Sequence, residues 1–225
     1  MPNKSSKNTV MPDDGQKQDL APRNEPVQSR SIRRSKQIID VTGELLERVG
    51  LDDLNTIIIA KEVGISIGSL YHYFPNKYAI LYAMGSRWLE SIDAVFMEVL
   101  RWPLEELALS ELIDKILAIH LKTYKKQKAI LTLVQAMFSV KELRELDAQH
   151  DDLVIRQMSE VFKRIGLQRH IRERERIARL YLEVTHSTFL VVVNQNENRA
   201  KRTLNDLKRM IESLLAHHLS NSQER

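Results

Sequence analysis

The chain has 225 residues, 43% of them hydrophobic, with only 7 glycines and 6 prolines, which fits one or two mostly helical domains around a sizeable core. It has no cysteine, which excludes disulfides and cysteine-based metal sites and suits a reducing compartment. Its net charge of +4 is small, so nucleic-acid binding has to be argued from where charges sit rather than from their sum. Residues 1–29 are polar, proline-punctuated and poor in aromatics, and are predicted to be disordered. They contain no apolar signal core, so no secretory leader is expected and the cytoplasm is the expected location. The longest strongly apolar run, residues 188–193, is far too short to span a bilayer, so no membrane partner is expected.

Arg30, Arg33, Arg34 and Lys36 form a basic cluster before the first predicted helix. It reads either as a solvated helix start or as a basic arm against phosphates or in a minor groove. Ile38, Val41, Leu45 and Val49 repeat at helical spacing, predicting a helix over about 31–49 that stops at Gly50. The next stretch, NTIIIAKEVGISIGSLYHYFPNK from Asn55 to Lys77, reads as two short helices around a glycine turn. Asn55 or Thr56 caps the first, Gly64 ends it, and Ser66 caps the second. Leu70 and Phe74 face inward, while Gly68, Ser69, Tyr71, His72 and Tyr73 face out, and Pro75 stops the helix. That is the layout of a helix-turn-helix with a short recognition helix.

IAKEVGISIGSLYHYFPNK resembles the DNA-binding domain of the tetracycline-repressor (TetR) family of bacterial regulators. The motif is carried by Gly68, Leu70, Tyr71, Tyr73, Phe74 and Lys77, and with the preceding helix the likeness covers roughly residues 35–80. It implies an all-α protein: a three-helix helix-turn-helix domain over 30–78, a larger helical ligand-binding and dimerisation domain over 79–219, and a flexible tail over 220–225. Chemistry and resemblance together give the candidate DNA contacts. Lys77 and Thr56 are expected at phosphates, Tyr73 at phosphate, Tyr71 nearer the bases, and His72 at either. Ser66, Ile67, Gly68 and Ser69 form the groove-facing start of the recognition helix, with Arg33 and Arg34 in the basic arm. Ile67 and Ile57 stand where the family often has polar or basic residues. Readout is therefore expected to lean on thymine methyls, shape and backbone register. A two-fold homodimer on a palindromic double-stranded operator follows from the resemblance.

Tyr78 to Leu100 predicts a longer helix, Trp102-Pro103 a joint, and helical patterns follow over 104–125, 128–138, 141–166, 172–195 and 201–219. From the aromatic and soft residues Trp88, Phe96, Trp102, His120, Tyr124, Met137, Phe138, Met158 and Phe162 an apolar chamber is expected, with His120, Tyr124, Gln135 and His186 as polar anchors. The resemblance implies a small apolar or amphipathic effector, unidentified, that shifts the population away from the DNA-fitting form. The last two helices carry Ile177, Leu180, Tyr181, Val184 and Thr188 on one face and Leu204, Leu207, Ile211 and Leu214 on another; by resemblance they form the dimer interface. No catalytic residue, cofactor or metal is expected. The chain lacks a Gly-rich phosphate loop and a Gly-x-Ser-x-Gly, and its histidines are scattered except for the adjacent His217 and His218. The expected function is a ligand-responsive repressor; the alternative is a ligand-independent, DNA-bound organiser that recruits a protein partner.

Overall fold

The computed structural model describes residues 29–220 except residue 168. Of the terminal segments expected to be disordered, all but Ser29 and Ser220 lie outside the described residues, and those two end helices. The described residues are helical: α1 (Ser29–Asp53), α2 (Thr56–Val63), α3 (Ile67–Tyr73), α4 (Lys77–Val99), a 3-10 turn (Leu104–Glu106), α5 (Leu109–Lys126), α6 (Ile130–Ser139), α7 (Lys141–Arg164), α8 (Ile171–Val192) and α9 (Glu197–Ser220). No helix among them is long and apolar enough to cross a membrane.

The first three helices are set by local chemistry. Helix α1 buries Ile38, Ile39, Leu45 and Leu46 on one face, and its buried Thr42 returns its hydroxyl proton to Ile38 O at 2.7 Å. Gly50, at φ 75°, breaks the helical path where the sequence predicted a stop. Asn55 then caps α2 by accepting from Ile57 N and Ile58 N at 3.1 Å each. Such a cap is worth about 1 kcal/mol. Gly64 closes α2 in the left-handed region (φ 75°, ψ 37°), its N–H turned back to Ala60 O and Lys61 O. Ser66 accepts from Ser69 N to open α3, and Asn76 accepts from Ala79 N to open α4. Leu54, Ile59, Leu70 and Phe74, all essentially inaccessible, close the three-helix core.

Helix α4 is the shared beam. It packs against α1 on one side and α5, α6 and α7 on the other, and α6 also touches α1. Two exposed ion pairs cross the same seam, Arg87–Asp40 and Lys128–Glu44, both at 2.7 Å. Beyond α4 the chain turns through residues 100–108, where a helix was expected to start at 104. Arg164 at the end of α7 reorganises this joint. Its guanidinium donates to Leu100 O, Trp102 O and both carboxylate oxygens of Glu105. The hydrogen bond from Arg164 holds the Glu105 carboxyl down at about 2. Helix α5 therefore begins only at Leu109. Helices α7, α8 and α9 pack in sequence over α4 and α5 to complete the larger bundle.

Candidate nucleic-acid interface

The turn at Gly64–Ser66 sets α3 across α2 so that Leu70 and Phe74 anchor it to the core and its opposite side faces out. Ile67, Gly68, Tyr71 and His72 are exposed, and Ser66 is exposed although its oxygen is engaged as the cap. A side chain added at Gly68 would meet nothing within 4 Å, so its glycine is not required by packing inside the protein. A bare backbone at the start of an outward-facing helix suits close approach to a groove. Thr56 Oγ1 and Tyr71 Oη lie 3.1 Å apart, tying the first turn of α2 to the middle of α3. Ile57, 70% exposed, stands beside that link, and with Ile67 it makes an apolar edge on a polar face. Such an edge has no role in the protein's own core.

Two expected contacts sit differently from the expectation. Lys77, read as a phosphate contact, turns its ammonium inward, donating to Leu51 O at 3.0 Å and Leu54 O at 2.9 Å. Leu51 lies in the last turn of α1 and Leu54 in the link to α2, so Lys77 braces that link against α4. Tyr73 is half-buried and packed on the core rather than fully outward. In the basic arm Arg33 is exposed, whereas Arg34 is half-buried and donates to Gln37 Oε1 at 2.9 Å.

The expected chamber residues gather in the interior of the larger bundle but fill it themselves. Phe96 lies on His120 (ring centres 4.3 Å apart), Trp88 meets Tyr124 edge-on at 5.5 Å, and Phe162 meets Tyr181 at 5.9 Å. Met137 and Met158 are fully buried. Three residues leave the group. Phe138 is 63% exposed because its neighbour Met137 takes the inward position on α6, while Gln135 is also exposed and Trp102 is half-buried in the joint. Burial lowers both His120 and His186 to about 4, so both rings are neutral. Burial, then the nearby Asp147 and Asp151, raises the Tyr124 phenol, which keeps its proton and donates to His186 Nδ1 at 2.6 Å. His120 Nδ1 donates to Ile116 O at 2.8 Å, which makes its Nε2 an acceptor. That Nε2, Trp88 Nε1 and Gln157 Oε1 are buried without a hydrogen-bond partner among the described residues. Each such atom costs on the order of 1–3 kcal/mol.

On α8 and α9 the expected interface divides. Ile177, Tyr181, Leu207 and Ile211 are buried within the protomer, as parts of its own core. Leu204 lines a groove toward α5 instead. Leu180, Val184 and Leu214 remain on the outer face, joined by Met210, which the sequence reading missed although it lies four residues before Leu214. They line a shallow apolar depression of about 500 Å3. Thr188 is half-buried, with its hydroxyl donating to Val184 O. No group of three potential metal ligands occurs among the described residues.

Two family models match the chain. "Bacterial regulatory proteins, tetR family" matches residues 38–84, and "Tetracyclin repressor-like, C-terminal domain" matches residues 108–215. The HTH-type transcriptional regulator BetI of Escherichia coli is 43% identical over 54 residues, a stretch covering 24% of this chain and 27% of that protein. Among solved structures, Salmonella enterica GusR aligns with a TM-score of 0.65 at 17% identity, covering 87% of this chain and 100% of that one. A TetR-family regulator from Streptomyces coelicolor aligns at 0.56 and 20% identity, covering 83% and 99%. These structural likenesses establish the fold.

Proposed function

This chain belongs to the TetR family of bacterial regulatory proteins, and on that premise we propose that it is a cytoplasmic, homodimeric repressor that binds an inverted-repeat operator and is released by a small molecule. The observation that carries the reading is the outward face of α2 and α3, with Thr56 and Tyr71 joined at 3.1 Å and Ile57 and Ile67 exposed beside them. Residues 30–78 form the reading domain and residues 79–219 the sensing and dimerisation domain. Ile57 and Ile67 meet thymine methyls, Tyr71, Ser69 and His72 reach bases or phosphate, and Arg33 and Thr56 meet the backbone. Lys77, with two donors committed inside, supports the reading head. A single α3 makes few contacts, so two copies joined through Leu180, Val184, Met210 and Leu214 double them. If the dimer neutralises roughly eight phosphates, log affinity falls with log salt at a slope of about −7.

The second reading, a ligand-independent organiser that recruits a protein partner, is favoured by one observation: the centre of the larger bundle is filled by its own aromatic rings. Three of the buried polar atoms without a hydrogen-bond partner, His120 Nε2, Trp88 Nε1 and Gln157 Oε1, favour the sensing reading. Selection of binding sites from random duplex DNA with the full chain tests the common core of both. Enrichment of one inverted repeat bound by two copies is expected, and binding that is weak, motif-free and wholly salt-driven contradicts it.

A further inference from the structure

Between α5, the end of α8 and the first half of α9 runs an open groove of about 1180 Å3. None of the expected chamber residues line it. Its floor is apolar, made by Leu117 and Leu121 of α5, Val192 of α8 and Leu204 of α9. Its rim is basic. Lys122, Lys125 and Lys126 stand on the α5 side and Lys201 on the α9 side, all four exposed. A fifth lysine, Lys208, is already neutralised by Asp114, and that pair closes one end of the groove. The four rim lysines form no ion pair among the described residues, whereas Lys208 beside them does. Glu197 is the one acid at their end.

We propose that this groove binds an anionic amphiphile, an unbranched chain lying on the leucine and valine floor with its carboxylate among Lys122, Lys125, Lys126 and Lys201. Three features select that chemistry. The floor rewards apolar surface and offers no buried hydrogen-bonding group to orient a polar body. The free charge at that end is four lysines against the single carboxylate of Glu197, a net positive field that suits an anionic head rather than a zwitterion or a cation. The lining of α5 from Asp114 to Lys126 spans about 18 Å at the helical rise, a length suited to an extended chain rather than a compact ring. The site also has a neighbour that gives it consequence. Lys126 lines a second cleft as well, against Asp40, Gly43 and Glu44 of α1 and Arg87 of α4, so the head of the ligand would lie beside the seam to the DNA-reading helices.

The proposal goes beyond the repressor reading and is tested without DNA, so that the failure of one is distinguishable from the failure of the other. Isothermal titration of the full chain with octanoate, decanoate and dodecanoate is compared with dodecanol and dodecyltrimethylammonium. Affinity for the carboxylates rises by about fourfold per added methylene. Dodecanol binds more weakly and the ammonium more weakly still. Lys125→Glu with Lys201→Glu lowers dodecanoate affinity by about tenfold at low salt and leaves dodecanol unchanged. Ala200→Phe, on the groove wall, removes binding of both; thermal melting of each variant checks its fold. Equal affinity for the carboxylate and the ammonium, or indifference of dodecanoate to the charge reversal in a folded variant, overturns the proposal. Loss of the probe with rising protein concentration, matched by a rise in mass on sedimentation, assigns the groove to a second copy and overturns it too.

Discussion

Helices α1–α3 and helices α5–α9 are equally helical, yet they are specified by different physics. In the first region the junctions carry their own chemistry: Asn55 opens α2, Gly64 closes it, Ser66 opens α3 and Asn76 opens α4. In the second, α5, α6 and α7 all begin without a side-chain cap. Their ends are placed by packing and by remote partners such as Arg164. A head whose helix ends are capped locally, with Lys77 of α4 as a remote brace, suits presenting one face to a fixed target. A bundle whose helix ends depend on distant contacts can move a junction by exchanging those contacts, which suits a region that must adopt two arrangements.

The largest test of this division separates the copies without disturbing either region. Met210→Glu with Leu180→Glu places two charges on the outer α8–α9 face, where Met210 is 57% and Leu180 41% exposed, so both have little folding role. The expected product is a folded monomer by sedimentation whose operator affinity falls by about 100-fold or more. Next comes the left-handed turn. Gly64→Val forces a β-branched residue to φ 75° and is expected to cost about 2 kcal/mol, read as a lower denaturant midpoint with an unchanged slope.

A smaller effect belongs to the bundle. Burial, then Asp147 and Glu183, pushes the Asp151 carboxyl up to about 7 from an ordinary 3.8. Because its folded value is raised, its neutral form is stabilising in acid, and that contribution is lost as the pH rises from about 4 through 7. Asp151→Asn is therefore expected to match the parent at pH 4 and to exceed it at pH 8 by roughly 1 kcal/mol, allowing for the partial exposure of Asp151. His120 and His186 act with the opposite sign: both are lowered from 6.5 to about 4 by burial, so stability falls as the pH drops through that window. Denaturant melts across pH 4 to 8 separate the two. Smallest is a repair. Ala108 precedes α5 with extended backbone and no cap, so Ala108→Ser is expected to add about 0.5–1 kcal/mol, whereas Asn55→Ala in the head removes about 1 kcal/mol.

The same division explains what the sequence revealed. The head was legible because its caps, glycine turn and tyrosine motif lie within Asn55–Lys77 and act on each other at short range. The inward hydrogen bonds of Lys77 were not legible because its partners, the carbonyls of Leu51 and Leu54, lie 26 and 23 residues away. The start of α5 was set too early for the same reason, since Arg164 reaches Leu100, Trp102 and Glu105 from about sixty residues on. Helical periodicity found the apolar stripes of α8 and α9 but not which edge turns inward. Ile177 and Tyr181 are core, while Leu180 and Val184, one turn's fraction around, lie at or near the surface. Adjacent residues can separate just as sharply: Met137 is 1% exposed and Phe138 63%. The groove between α5 and α9 left no signal at all, because its lysines and its leucines belong to helices that meet only in the fold.

The claim at the centre is that the outward face of α2 and α3 reads DNA. Its most direct measurement is an anisotropy titration of the selected operator with Ile67→Ala/Tyr71→Ala beside the parent chain, with circular dichroism and sedimentation confirming a folded dimer. The expected result is a loss of at least about 30-fold in operator affinity, as two groove contacts in each copy are removed at about 1 kcal/mol or more per copy. Affinity for unrelated duplexes should change little. Equal operator affinity in the two proteins would contradict the account and move the reading surface elsewhere on the molecule.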